Sequence, residues 1–153
     1  MQMAIRSSNV TKVQPTTQED KMHSITVISH VSASPEKVWN TIGDPGAISN
    51  WHPAISSSTL SGEERLCTLA DGAKIHERIE SVDEAGRTYA YSITESPLPL
   101  ASYQSTIKVD AEGDGSIVTW DARFEPAGAT AEEVTALLAG VYQAGLSSLR
   151  DSF

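Results

Sequence analysis

The first clear hydrophobic pattern lies near the start of the chain. Residues 24–33, SITVISHVSA, alternate β-branched apolar residues such as Ile25 and Val27 with residues such as Thr26 and His30. A period of two residues in a β-branched segment is typical of a strand with one buried face. We therefore predict that the ordered chain begins with a β-strand at Ser24.

Two short helices are predicted directly after this strand. Ser34 is a favoured N-cap residue, Pro35 suits the first helical position, and Gly43 favours termination. The same signals return at once, with Asp44 as a cap and Pro45 as the first residue of one or two further turns. The pattern predicts two short helices joined at a corner.

Alternation returns after Pro53 and continues to Pro126. Six runs with a period of two follow one another, at residues 54–62, 64–70, 73–83, 87–96, 102–113 and 116–126. The links between them are short and contain Gly or Pro, including the Pro97–Pro99 segment, which we expect to form a stiff loop. Short links make neighbouring strands antiparallel.

The last segment changes to the helical period. Thr130 followed by Glu133 is the signature of a capping box. The predicted inner stripe of this helix consists of Val134, Leu137, Leu138, Val141, Gly145, Leu149 and Ser152, widened by Tyr142 and Leu146. Glycine within a helix is useful where another group approaches closely, so Gly140 and Gly145 suggest such contacts.

The order of elements predicts an α+β fold. We expect a curved seven-stranded antiparallel sheet, two short helices after the first strand, and a long C-terminal helix over the concave face. Because one helix cannot fill the trough of such a sheet, a cavity between sheet and helix is expected.

Composition limits the class of protein. With 153 residues, of which 39% are hydrophobic and 20% charged, the chain suits one globular domain. We expect residues 1–22, which are polar and aperiodic, to be a flexible lead, and residues 23–153 to be the domain. The lead lacks the apolar core of a secretory signal, so a cytoplasmic location is expected.

The net charge and the sequence motifs limit the kinds of partner and cofactor that we expect. The formal net charge of −9 disfavours nucleic acid as a partner, and no segment reaches the roughly 18 consecutive apolar residues that membrane insertion requires.

Cys67 is the only cysteine, and we interpret it as a small buried hydrophobe. Histidines and carboxylates lack ligand spacing, and phosphate-loop and nucleophile motifs are absent, so no metal and no cofactor are expected. The chain is expected to be a monomer or a homodimer, in which the edge strand beginning at Ser24 would pair between copies.

These motifs, in this order, resemble the START-like superfamily, also called SRPBCC or helix-grip proteins. The matching pieces are SPEKVWNTIGDPGAISNWHPAI, IHERIESVDE, YAYSITESPLPLASYQSTIKV and VTWDARFEP with the helix that follows. Within the superfamily, the chain is most similar to the small bacterial polyketide cyclase/dehydrase-like group. The resemblance implies a hydrophobic ligand held between the sheet and the C-terminal helix.

One carboxylate lies between two isoleucines on the predicted inward face of its strand. Ile75, Glu77 and Ile79 share one face of residues 73–83, and the polar residues Lys74, His76, Arg78 and Glu80 share the other. A buried unpaired carboxylate costs several kcal/mol, so Glu77 needs a partner, water or a ligand. The same parity argument indicates further inward residues, and the predicted ligand contacts are Trp51, Ile75, Ile79, Tyr89, Tyr91, Ile93, Tyr103, Trp120, Leu138, Val141 and Tyr142.

The resemblance adds roles for three positions. Glu77, Tyr103 and His52 fall where the similar plant hormone receptors carry a pocket glutamate, tyrosine and lysine. Histidine at position 52 and the plain Ala70–Ala73 turn depart from those receptors, so hormone-receptor behaviour is not expected. An ordinary core role for the aromatic residues, and a strand-capping role for His52, remain open.

Two functions follow from this reading. The first is a binding module for a small hydrophobic molecule, aromatic or polyketide-like. The alternative is a cofactor-independent cyclase, dehydratase or aldol-type enzyme, with Glu77 as general acid/base and His52 as a second proton-transfer group. A chaperone-like interaction protein is a third class, and its mark would be an exposed apolar patch.

Overall fold

The structure is a computed structural model and describes residues 21–153. Of the predicted lead, only Lys21 and Met22 fall within the described residues. The elements, in chain order, are β1 (His23–Val31), α1 (Pro35–Ile42), a 3-10 helix (Pro45–Asn50), β2 (Ile55–Ser61), β3 (Glu64–Leu69), β4 (Lys74–Asp83), β5 (Thr88–Glu95), β6 (Leu100–Glu112), β7 (Gly115–Pro126) and α2 (Ala131–Asp151).

The seven strands form one antiparallel sheet in the order β1-β7-β6-β5-β4-β3-β2. Strands β2 to β7 meander, and β1 pairs with β7 because α1 and the 3-10 helix carry the chain across to the opposite edge. Register shifts interrupt the β2–β3, β4–β5 and β6–β7 ladders, and such bulges increase twist and bend a sheet. With α2 over the concave face, the predicted helix-grip fold is confirmed.

The helix starts follow their predicted caps. Ser34 Oγ accepts a hydrogen bond from the Lys37 amide at 3.3 Å, and Asp44 Oδ1 accepts one from the Gly46 amide at 3.0 Å. At α2 both halves of the capping box are present, since Thr130 Oγ1 accepts from the Glu133 amide and Glu133 Oε1 from the Thr130 amide. Each cap satisfies backbone donors that no helical carbonyl reaches.

The inner face of α2 differs from the predicted stripe at three positions. Leu137 and Val141 are 40% and 37% exposed, and Ser152 lies beyond the last helical residue and is exposed. The buried residues are Val134, Leu138, Tyr142, Gly145, Leu146 and Leu149. Adjacent helical positions point about 100° apart, and the inner face includes position 142 rather than 141 because the Tyr142 ring stacks on the sheet.

No helix within residues 21–153 is long and apolar enough to cross a membrane. The core lies between the concave face of the sheet and α2, where α2 contacts β1 and β7 and α1 contacts β6 and β7. This core contains the predicted site residues.

Candidate functional site

Burial confirms the predicted phase of the strands. Glu77 is only 8% exposed and lies between buried Ile75 and Ile79, while Lys74, His76, Arg78 and Glu80 face outward. On the neighbouring strands Tyr89, Tyr91, Tyr103 and Trp120 are buried and Ile93 is half-buried. The residues predicted to share one concave surface are therefore brought together, and their roles toward a ligand remain predictions.

The partner of Glu77 is Arg65. The two residues lie directly opposite each other on β3 and β4, and Arg65 Nε donates to Glu77 Oε1 at 2.7 Å. Arg65 Nη1 donates to the Pro45 carbonyl oxygen at 2.9 Å and to the Tyr89 hydroxyl at 3.2 Å. The guanidinium lies 4.6 Å from the centroid of the Tyr91 ring. This is a buried ion pair supported by hydrogen bonds and an aromatic face.

Sequence reasoning missed Arg65, although a signal was present. Arg65 and Cys67 have the same parity in β3, and Cys67 was predicted to be buried. The alternation that places Cys67 inward therefore places Arg65 on the same face, opposite Glu77.

Cys67 is a structural thiol. It is 2% exposed, and its Sγ donates to Glu77 Oε1 at 3.4 Å. Burial, followed by the nearby Glu77 charge, raises the pKa of the Cys67 thiol to about 12. Since only the thiolate is nucleophilic, this residue stays protonated and unreactive, which agrees with its interpretation as a buried hydrophobe.

Four hydroxyl groups form a chain through the core. Ser105 Oγ donates to the Asp121 carbonyl oxygen at 2.7 Å, which leaves it to accept from the Tyr142 hydroxyl at 3.0 Å. Tyr142 then accepts from Tyr103, and Tyr103 accepts from Tyr91 at 3.2 Å. The direction follows because each hydroxyl has one proton to donate.

Burial raises the pKa of Tyr91, Tyr103 and Tyr142 well above the ordinary value. These tyrosines therefore remain protonated at neutral pH and act as hydrogen-bond donors. Every hydroxyl proton of the four residues has an acceptor, and the last acceptor is the backbone carbonyl oxygen of Asp121.

The tryptophans pack beside this chain. The Trp120 ring stacks on the Tyr142 ring, with centroids 4.2 Å apart and planes 5° from parallel. Trp120 Nε1 donates to the Tyr91 hydroxyl and to Ser105 Oγ. Trp51 lies 5.6 Å from Trp120, ring to ring, and its Nε1 is buried without a hydrogen-bond partner in the described residues.

His52 is buried and fastened to the backbone through both ring nitrogens. Its Nδ1 accepts from the Ala54 amide at 3.2 Å, so Nε2 carries the proton and donates to the Val141 carbonyl oxygen at 2.8 Å. Burial lowers the pKa of His52, against the opposing effect of its backbone hydrogen bonds. The neutral imidazole therefore bridges the loop after the 3-10 helix and α2.

Two predicted contacts on α2 have different positions. Leu138 is buried against the core, whereas the Val141 side chain is exposed and only its carbonyl oxygen reaches the interior side, where His52 binds it. Gly145, one turn further on, allows this approach, since a Cβ there would lie 2.5 Å from His52 Cδ2. The predicted close approach is thus found at Gly145 and not at Gly140, which has open space around it.

Aromatic side chains pack against one another between the sheet and α2. Two surface grooves lie within residues 21–153, and neither is an enclosed cavity of the predicted kind. One groove, of about 200 Å³, lies at the end of β5 and β6 and is lined by Ile93, Thr94, Glu95, Ser96, Leu100, Ala101, Ser102 and Tyr103. We call it the β5–β6 groove, and its inner wall, Tyr103, is a member of the hydroxyl chain.

The second groove, of about 350 Å³, lies beside the β6–β7 turn. It contains the exposed His30–Glu112 pair, whose Nδ1 and Oε1 are 2.5 Å apart. No group of three or more His, Cys, Asp or Glu side chains within residues 21–153 is arranged to hold a metal ion. Among the residues that line this groove, only Val31 belongs to the hydrophobic core.

Solved structures with the same fold include close relatives. XoxI of Bacillus cereus is 36% identical, with a TM-score of 0.83 over 85% of this chain and 94% of that protein. An uncharacterised protein of Bacillus thuringiensis is 36% identical, with a TM-score of 0.82 over 86% and 98% of the two chains. Ara h 8.0201, at 20% identity, has a TM-score of 0.70 over 86% and 97%, and supports the fold alone.

No curated protein matches the chain. A family model does, the one described as polyketide cyclase / dehydrase and lipid transport, and it matches residues 22–153. This match spans every helix and strand of the domain and confirms the resemblance found in the sequence motifs. The chain belongs to the polyketide cyclase/dehydrase and lipid transport family.

Proposed function

We propose that this protein binds a small apolar, aromatic molecule between the concave face of the sheet and α2. Proteins of this family and fold commonly bind hydrophobic ligands. The observation that carries the proposal is the position of Tyr103, which is the inner wall of the β5–β6 groove and a member of the buried hydroxyl chain. A ligand in that groove lies one ring away from the core.

Binding then requires a rearrangement of side chains. The trough is occupied by aromatic rings, so the ligand enters by displacing Tyr103 and takes over part of its contacts with Tyr91 and Tyr142. Half-buried Ile93 and Leu100 line the groove outside Tyr103 and offer apolar surface for first contact. The Pro97–Pro99 link joins β5 to β6 beside the groove and keeps this end of the sheet stiff. The proposed contacts inside are Trp51, Ile75, Ile79, Tyr89, Tyr91, Tyr103, Trp120, Leu138 and Tyr142.

Binding is favoured over catalysis by the contacts of the two proton-transfer candidates. Glu77 Oε1 accepts from Arg65 Nε and from the Cys67 thiol. Both ring nitrogens of His52 are engaged by backbone groups. A general acid or base must reach the proton that it transfers, and these contacts hold both groups in structural roles.

The test is a titration with N-phenylnaphthylamine, an uncharged aromatic probe whose fluorescence rises in apolar sites. We expect saturable binding of one probe per chain. Ile93→Trp fills the β5–β6 groove and should weaken binding at least about tenfold, because overfilled packing excludes the ligand. The matched control Ile28→Trp changes a 53% exposed residue on β1 and should leave the affinity unchanged.

Amide chemical shifts provide the decisive second measurement. Probe binding should shift the signals of β5, β6 and α2. If the probe does not bind saturably, or if shifts are confined to the convex face of the sheet, the proposed function is wrong.

A further inference from the structure

The buried groups that lack a partner are informative about the ligand. With Tyr103 in place, all hydroxyl protons of the Tyr91–Tyr103–Tyr142–Ser105 chain have acceptors, and a ligand that displaces the Tyr103 ring frees only the uncharged Tyr91 donor. In the described part of the chain, three buried side-chain polar atoms have no hydrogen-bond partner, namely Arg65 Nη2, Trp51 Nε1 and Ser29 Oγ. Ser29 lies on the edge strand β1, which leaves two N–H donors in the aromatic core.

An unpaired buried donor is costly, and one on a charged group more so. The Arg65 side chain is 0% exposed, and three of the five N–H donors of its guanidinium are already used, one on Nε and two on Nη1. Its Nη2 is therefore the strongest vacant donor in the core. A ligand oxygen that accepts a hydrogen bond from Nη2 would satisfy this donor.

The charges of Arg65 and Glu77 limit which chemical group of the ligand can supply that oxygen. The Arg65 charge is balanced by Glu77, directly opposite at 2.7 Å. A ligand carboxylate would place a second negative charge beside Glu77, and an ammonium group would place a second positive charge beside Arg65. In a buried site either excess charge is strongly unfavourable.

We propose that the ligand is an uncharged aromatic molecule with a carbonyl oxygen, and that this oxygen accepts a hydrogen bond from Arg65 Nη2. The inference rests on the proposed function and adds the chemical class of the ligand. The path is short, because Tyr103 lines the β5–β6 groove, its ring lies 6.0 Å from the Tyr91 ring, and the guanidinium lies 4.6 Å from Tyr91. A planar molecule that replaces the Tyr103 ring brings its far edge toward Arg65.

Fluorenone and fluorene test the carbonyl, since they have the same ring frame and differ in one oxygen. Both are competed against N-phenylnaphthylamine. Fluorenone should bind at least about tenfold more tightly than fluorene, because it gains a hydrogen bond to a charged donor. Fluorene is the more hydrophobic of the two, so burial of apolar surface alone predicts that fluorene binds more tightly than fluorenone.

Two variants test the ion pair. Arg65→Met/Glu77→Gln removes both charges with little change of volume and should abolish the preference for fluorenone while fluorene still binds. Glu77→Gln leaves the Arg65 charge unbalanced, so a fluorene carboxylate, which should not compete in the wild type, should compete in this variant. Near-ultraviolet circular dichroism checks that each variant retains its packed aromatic core.

The outcomes separate the two proposals. If fluorene and fluorenone bind equally, or if the preference survives in the double variant, the assignment to Arg65 is wrong and the proposed function stands. Binding of the carboxylate to the wild type as tightly as the ketone likewise overturns the uncharged class. If neither ring compound nor the probe binds, both proposals fail.

Discussion

The imidazole of His52 donates from Nε2 to the carbonyl oxygen of Val141 at 2.8 Å, and thereby ties the loop after the 3-10 helix to the middle of α2. The contact is possible because Gly145 leaves room for the ring. It joins the loop that leads into edge strand β2 to the helix that covers the sheet. His52 therefore sets how closely α2 approaches this part of the fold.

A first prediction concerns the two glycines of α2. In Gly145→Ala the new Cβ meets His52 Cδ2 at 2.5 Å and Trp120 Cζ3 at 3.1 Å. Both neighbours belong to packed rings, so the free energy of unfolding should fall by about 1–3 kcal/mol. Urea unfolding measures the change.

Gly140→Ala is the matched control, since nothing lies within 4 Å of its Cβ position. Alanine is the better helix former, so this variant should gain about 0.5–1 kcal/mol. Equal effects of the two substitutions would contradict the close approach of His52 to α2.

The second prediction is a dependence of stability on pH. Burial lowers the pKa of His52 below its ordinary value, and no charged side chain is among the causes of the shift. The unfolded chain thus binds this proton more readily than the folded one. The His52 contribution should be fully present above the unfolded pKa of about 6.5 and should be lost as the pH falls through that value toward the lower folded pKa.

Unfolding free energies measured between about pH 7.5 and pH 5 check this prediction. His52→Gln should flatten the profile, because glutamine retains a donor and an acceptor but does not titrate. His76→Gln, which changes an exposed residue on the outer face of β4, should leave the slope unchanged. A wild-type slope that persists in His52→Gln would assign the dependence to other groups.

How much of this site is predictable from sequence depends on the kind of contact. Strand parity placed Glu77, Tyr91, Tyr103 and Trp120 on one face, because a period of two leaves only two choices for each strand. Local caps such as Thr130 with Glu133 are equally readable, since both partners lie within one turn.

Contacts between distant elements were harder to predict. The choice between Val141 and Tyr142 on α2 depends on a stack with Trp120 on β7, and a hydrophobic stripe does not resolve neighbouring positions on a helix. The size of any cavity is a second example, since side-chain volume rather than topology decides how much space a curved sheet encloses.

The third prediction concerns the buried ion pair. Arg65→Met leaves Glu77 buried without its partner, and the free energy of unfolding should fall by about 3–5 kcal/mol. Adding Glu77→Gln removes the orphaned charge, so the double variant should regain most of that loss. Urea unfolding of both variants measures the difference.

Arg78→Met is the surface control for this comparison. Arg78 Nη1 and Glu63 Oε1 are 3.4 Å apart and both side chains are exposed, so its loss should change stability by less than about 1 kcal/mol. If Arg65→Met were as mild as Arg78→Met, the pair would not be buried as described.

The last prediction follows from the direction of the hydroxyl chain. Tyr142→Phe removes the acceptor for the Tyr103 proton and the donor to Ser105, so it leaves one buried donor unpaired and should cost about 1–3 kcal/mol. Tyr91→Phe removes the first donor of the chain. Tyr103 still donates to Tyr142, and Trp120 Nε1 still reaches Ser105 at 3.1 Å, so no donor is orphaned and the cost should be smaller. Both variants retain the ring, which keeps the Tyr142–Trp120 stack and the contact between Arg65 and the ring at position 91. Equilibrium unfolding ranks the two, and a Tyr91→Phe variant less stable than Tyr142→Phe would reverse the inferred direction of the chain.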